Sequence, residues 1–212
     1  MADSQEIYWL IAAQAGDMDA YTALMEQLQP EVARFVRRLI DHAESVEDVV
    51  QEVFLKFYLN MHRIDPPDNL RPYLFRIARN ACYDELRRYG RDVSESLDEE
   101  PVEVRVSFTA SHQQPRPDDL THWMLLGMEV RTALDLLPEA QRQTLLLYCE
   151  EGMSYAEIAQ VMEVSIGTVK SRLHHAKKGL RARLKPETVQ ILEEEFGLSQ
   201  PLASPANALE TP

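Results

Sequence analysis

Residues 154–185, SYAEIAQVMEVSIGTVKSRLHHAKKGLRARLK, leave the chain little choice of local structure. Ser154 and Glu157 have the spacing of a capping box: the hydroxyl accepts from a first-turn amide and the carboxylate reaches back to the cap. Ile158, Ala159 and Met162 follow at helical spacing, and Val164 leads to Ser165, a second N-cap residue. From there Val169, Leu173, Ala176, Leu180 and Leu184 recur at steps of four, three, four and four, which is one apolar stripe. The pattern predicts helices over 154–162 and 165–184 joined by a tight turn. At ~100° per residue, Ser171, His174, His175 and Lys178 fall opposite the stripe, with Lys170 and Lys177 flanking them.

Charge gives this pair of helices a meaning. Between Ser165 and Lys185 there are seven Lys or Arg and no Asp or Glu, in a chain of 212 residues with formal net charge −13. A run of charge by itself also describes a solvated surface helix. Here the run has one sign, follows a capped helix and a short turn, and carries Ser and His in its middle. With its back in a core, such a helix suits the major groove, where its N-terminal part reaches base edges while Lys and Arg hold phosphates. His174 and His175 are a poor chelating pair, because adjacent helical positions diverge by ~100°, so no metal is expected. Glu150 and Glu151 read as a polar helix end, not as catalytic carboxylates.

Strand signals are nearly absent, and alternation appears only near Val102–Val106, inside an acidic, polar stretch. Helices are expected near 5–14, 18–41, 45–60, 71–89, 120–136 and 139–150 as well as at the two already placed, so the fold class is all-α. Ile7, Leu10, Ile11 and Gln14 suit a first, short helix. Residues 91–119 contain eight acids together with Pro101, Pro115 and Pro117, the composition of a flexible linker. After Lys185 comes a tail with five Glu and no basic residue, whose part 188–196 suits a short helix. The division that follows is a helical domain over 1–90, a linker over 91–119, a helix-turn-helix domain over 120–185 and an acidic tail over 186–212. No apolar run approaches the ~20 residues of a membrane span, and the N-terminus has no basic region of the signal-peptide kind. Cys82 and Cys149, each in an apolar helical context, read as reduced core thiols of a cytoplasmic protein.

The N-terminal half holds two further constellations. In SVEDVVQEVFLKFY, residues 45–58, Ser45 and Asp48 have cap spacing. Val46, Val49, Val50, Val53, Phe54 and Phe57 form a wide apolar face beside the acids Glu44, Glu47, Asp48 and Glu52. This is either a core helix with a solvated face or a docking surface for a basic partner. In NLRPYLFRIARNACYDELRRYGR, residues 69–91, six Arg alternate with Tyr73, Phe75, Tyr83 and Tyr89. Guanidinium groups for phosphates and rings for unstacked bases are the chemistry of single-strand binding, and Leu74, Ile77, Ala78, Ala81 and Leu86 equally suit a core.

Taken in order, these segments resemble a bacterial sigma factor of the extracytoplasmic-function group of the sigma-70 family. SVEDVVQEVFLKFY is similar to the family's core-polymerase-binding helix, LRPYLFRIARNACYDELRR to its promoter-melting helix, and LPEAQRQTLLLYCEEGMSYAEIAQVMEVSIGTVKSRLHHAKKGLRARL to its C-terminal promoter-binding domain. The resemblance covers about residues 5–90 and 120–185. It implies that Glu47, Asp48, Gln51, Glu52 and Phe54 bind the clamp helices of the polymerase β′ subunit. It implies that the loop from His62 to Leu70 and the following helix capture −10 bases, through Arg63, Arg71, Tyr73, Arg76, Arg79, Asn80, Tyr83 and Arg87. The C-terminal domain would sit on the β flap and read the −35 element through Thr168, Lys170, Ser171, Arg172, His174, His175 and Lys178. The implied partners are core RNA polymerase, promoter DNA as −35 duplex and −10 single strand, and an anti-sigma factor as a further candidate. The resemblance implies no cofactor, no small-molecule substrate and no enzymatic activity.

This sequence departs from the family pattern in two places. Tyr73 stands where Trp is usual, and His175 stands where Arg is frequent, with His174 beside it also uncommon. A helix-turn-helix regulator that is not a sigma subunit is the competing reading. A response regulator would need an N-terminal receiver of alternating strands and helices, which this all-helical half does not suggest. An enzyme would need a phosphate loop, a nucleophile motif or a clustered ligand set, and none is legible among seven glycines in all.

Overall fold

The computed structural model describes residues 4–40, 43–89 and 117–196. Most of the expected linker, 91–116, and the tail beyond 196 lie outside the described residues. Among the described residues every regular element is helical: α1 Ser4–Gln14, α2 Met18–Leu39, α3 Ala43–Asn60, α4 Leu70–Arg88, α5 Pro117–Asp135, α6 Glu139–Cys149, α7 Tyr155–Met162, α8 Ile166–Arg181 and α9 Pro186–Phe196. Two short 3₁₀ turns, Met61–Arg63 and Pro67–Asn69, lie between α3 and α4. The chain groups into two compact units, Met1–Glu95 with Leu146–Val169, and Ser96–Leu145 with Lys170–Pro212.

In the first unit α2, α3 and α4 bury one stripe each. Leu24, Leu28, Val32, Phe35 and Val36 of α2 meet Val46, Val49, Val53 and Phe57 of α3 and Leu70, Leu74, Phe75 and Ala78 of α4 in a common core. Phe35 and Phe75 meet edge to face with ring centroids 5.3 Å apart, the arrangement that a ring quadrupole favours. Gly16, at φ +98°, ends α1, and Asp17 starts α2 by accepting from the amides of Asp19 and Ala20. Helix α7 packs on α4, which places Leu146–Val169 in this unit although sequence order puts it with the C-terminal half. Ion pairs accompany that packing, among them Arg34 to Glu151 at 3.2 Å, Arg38 to Glu150 at 2.9 Å and Arg76 to Glu163 at 3.7 Å.

Several expectations change. Helix α1 buries Glu6, Leu10 and Ala13, while Ile11 is exposed; Glu6 is paired with Arg71 inside the unit. Helix α3 begins at Ala43, so Ser45 lies within it and caps nothing; its buried hydroxyl meets the Tyr89 hydroxyl at 3.3 Å. Cys82 is buried as expected, but Cys149 is exposed.

In the second unit the tail is partly built in. Helix α9 starts at Pro186, a residue suited to a helix's first turn. The Glu129 carboxylate on α5 accepts from the Lys185 amide at 2.6 Å and from the Thr188 hydroxyl at 3.0 Å. That carboxylate satisfies donors at the start of α9 and lies at the positive end of its dipole. Thr188 and Leu192 are buried. Helix α8 also belongs partly here, and a Cβ on its Gly179 would stand 2.7 Å from Leu137 Cδ2, so glycine permits a close approach.

Candidate nucleic-acid interface

The capping box that opens α7 is fully formed. The Glu157 amide donates to Ser154 Oγ at 3.3 Å, and the Ser154 amide donates to Glu157 Oε2 at 2.8 Å. Burial would raise the pKa of this carboxyl, but the Ser154 hydroxyl and amide outweigh it and hold Glu157 below its ordinary value. Helix α7 ends at Glu163 in the left-handed region, φ 55°, and the Glu163 and Val164 amides both donate to the Ala159 carbonyl. Ser165 then accepts from the Thr168 amide at 3.1 Å and shares a hydroxyl contact with Thr168 at 2.9 Å. Two caps and one left-handed residue thus fix the turn.

On α8, Val169, Leu173, Ala176 and Leu180 are buried. Lys170, Ser171, His174, His175 and Lys178 are exposed, and Thr168 and Arg172 are half-buried. All seven side chains expected to contact −35 DNA lie on this one helix. The two His rings meet edge to face at 5.5 Å, which presents their nitrogens over a wide patch. Among the described residues no group of three metal-binding side chains is present.

Helix α4 is different. Arg71 is half-buried in a bidentate network: it donates to Glu6 at 2.7 and 3.0 Å and to Glu31 at 2.8 and 3.2 Å. The Glu6 hydrogen bonds above all, aided by Glu31, push its pKa up against the opposing effect of burial. Arg79 is buried, its guanidinium 4.6 Å from the Tyr83 ring centroid. Both were expected to touch DNA; inside the unit Arg71 is held by two carboxylates and Arg79 is buried. Arg76 lies 5.3 Å from the Tyr73 ring, and Arg87 pairs with Asp84 at 3.4 Å. Asn80, Arg87 and, in the preceding loop, His62 and Arg63 are exposed. Sequence reasoning missed the acids that hold Arg71. Glu6 falls four and seven residues before Leu10 and Ala13, on the stripe that is buried, and that spacing was the available signal.

Glu47, Asp48 and Gln51 on α3 are exposed, and Glu52 pairs with Lys56 at 2.8 Å. Phe54, expected at the partner surface, is 5% exposed and lies in the core, its carbonyl accepting from the Tyr21 hydroxyl at 3.0 Å. The apolar side chains that do face outward are Leu55 and Leu59, each 59% exposed. Leu55 follows Gln51 by four residues, so it shares the acidic face.

A helix-turn-helix with a one-signed recognition face, together with an Arg–aromatic helix and an acidic one, defines an all-helical protein suited to nucleic acid and to a protein partner. Comparison with known proteins agrees. The Sigma-70 region 2 family matches residues 24–92, and the Sigma-70 region 4 family matches residues 127–180. The ECF RNA polymerase sigma factor SigE of Mycolicibacterium smegmatis is 32% identical over 176 residues, 82% of this chain and 66% of that protein. The ECF RNA polymerase sigma-E factor of Escherichia coli strain K12 is 32% identical over 174 residues, 82% of this chain and 91% of that protein. The chain therefore spans just under two thirds of the first relative and nearly all of the second. A co-crystal structure of the sigma factor RpoE with the anti-sigma factor NepR from Bartonella quintana shares the fold at TM-score 0.56, with 24% identity, covering 81% of this chain and 97% of that one. This chain belongs to the sigma-70 family, in its extracytoplasmic-function group. Sigma factors direct core RNA polymerase to promoters and are non-catalytic regulators of transcription. Among the described residues no helix is long and apolar enough to cross a membrane.

Proposed function

We propose a division of labour in which α8 reads the −35 duplex, the loop His62–Leu70 with α4 captures −10 bases, and the outer face of α3 docks the polymerase β′ clamp helices. The observation that carries it is the outward face of α8, where Lys170, Ser171, His174, His175 and Lys178 stand exposed on a helix without a single acid. On α3 the contact set is Glu47, Asp48, Gln51 and Glu52, with Leu55 in place of Phe54. On the −10 side it is Arg63, Tyr73, Arg76, Asn80, Tyr83 and Arg87, with Arg71 and Arg79 as support. By function the chain divides at 90, 119 and 185, the C-terminal domain resting on the β flap, and the protein acts in the cytoplasm with no catalysis of its own. The Bartonella complex supports an anti-sigma factor as a further partner.

The net charge of −13 opposes free DNA binding, because phosphate neutralisation dominates such affinity. Promoter binding is therefore weak for the free chain and strong for the core-bound form. Run-off transcription of genomic DNA with purified chain and core polymerase tests the reading. Start sites that need both components support it. Tight promoter binding without core, and no new start sites with it, would favour a regulator that is not a sigma subunit.

A further inference from the structure

The loop between α3 and α4 is held from outside itself. Met61 and Ile64 are buried, while His62, Arg63, Asp65 and Pro66 are exposed between and after them. Gln14, the last residue of α1, donates from Nε2 to the Met61 carbonyl at 2.7 Å and to the Ile64 carbonyl at 3.1 Å. Both partners are acceptors, so the amide orientation follows from chemistry. At the far end of the loop, Arg71 in the first turn of α4 is gripped by Glu6, also from α1. One short helix thus fixes both ends of the segment 61–71. That helix lies outside residues 24–92, the range matched by the Sigma-70 region 2 family.

We propose that Gln14 is a positioning residue for promoter opening. Its two donated hydrogen bonds hold the loop 62–69 in the form that receives an unstacked base. The inference rests on the assignment of this loop to −10 capture. Extruding a base costs a few kcal/mol, so a loop that must also be ordered at that moment would capture less. A pre-ordered loop avoids that cost.

The test uses the full chain with core polymerase on a promoter fragment mapped by run-off transcription. Gln14→Glu keeps the size of the side chain but removes both N–H donors, and Gln14→Lys restores donors. Gln14→Glu should slow open-complex formation, followed by permanganate reactivity, by about tenfold or more, the scale of two lost hydrogen bonds at the low end of their net contribution. Core affinity and closed-complex affinity should stay unchanged, and Gln14→Lys should recover most of the rate. Amide hydrogen exchange over 62–69 should rise in Gln14→Glu and not elsewhere in the unit. Unchanged exchange in the loop overturns the assignment of Gln14. Raised exchange with an unchanged opening rate overturns the proposal through the loop's own role. Equal losses in both variants, accompanied by a lower melting temperature, mean that the residue is merely structural.

Discussion

Helices α4 and α8 both carry clustered positive charge, and they spend it differently. On α4, Arg71 is locked between Glu6 and Glu31, Arg79 covers Tyr83, Arg76 reaches Glu163, and Arg87 and Arg88 pair with Asp84 and Glu85. On α8 the helix itself offers no carboxylate, and just past its end Glu129 stands 3.8 Å from Lys185 Nζ. A count of arginines therefore does not measure what is available to a polyanion. In α4 much of the charge is used inside the protein, whereas on α8 Lys170 and Lys178 stand exposed.

The largest effect should come from Arg71→Ala. It leaves Glu6, 2% exposed, without its counter-charge, a defect of about 3–5 kcal/mol. Urea unfolding that moves by less than about 1 kcal/mol would erase the distinction between the helices. Next comes Arg34, a third kind of arginine whose partner is more buried than the pairing compensates. Desolvation raises the Glu151 carboxyl from 4.5 to about 7, with Arg34 opposing. Between those values the folded state holds a proton that the unfolded chain has lost. Stability should then fall by up to roughly 3 kcal/mol as pH rises through the window and stay flat above it. Glu151→Gln should remove that slope in thermal melts at several pH values, and a slope that survives the substitution points to another group.

On α8 the changes should appear in binding instead. His175→Arg adds a fork able to grip guanine and should alter discrimination across a −35 mutant panel by about 1–3 kcal/mol; an unchanged panel means that His175 reads nothing. Lys178→Ala should leave stability within about 0.5 kcal/mol and lower the salt slope of promoter binding by about one. If it instead destabilises the fold as Arg71→Ala does, the charge of α8 serves its own fold just as that of α4 does.

Much of α7 and α8 was legible because their determinants are local. Ser154 with Glu157 and Ser165 with Thr168 act across three residues, and the stripe from Val169 to Leu180 needs only helical geometry. The errors arose where a distant partner decided. Ser45 has the spacing of a cap, but Tyr89, far along the chain, takes its hydroxyl. Phe54 and Arg79 sit in patterns that permit either face, and only packing assigns them to the inside. Glu6 broke an apolar pattern, and an acid on a buried stripe is the trace that a partner such as Arg71 leaves in a sequence. Gln14 left no trace, since a side-chain amide that holds two carbonyls looks like any polar residue at a helix end.

The position of α1 bears on modularity. The family-defined piece that begins at residue 24 would be the natural fragment to express or to graft onto another sigma factor. Such a fragment would keep Glu31 but not Glu6, and the loop carbonyls of Met61 and Ile64 but not the amide that joins them. It would inherit the residues proposed to capture −10 bases without the side chains of α1 that hold their loop. A chimaera cut at that boundary should open promoters poorly until residues 4–23, which carry α1 and the start of α2, are returned.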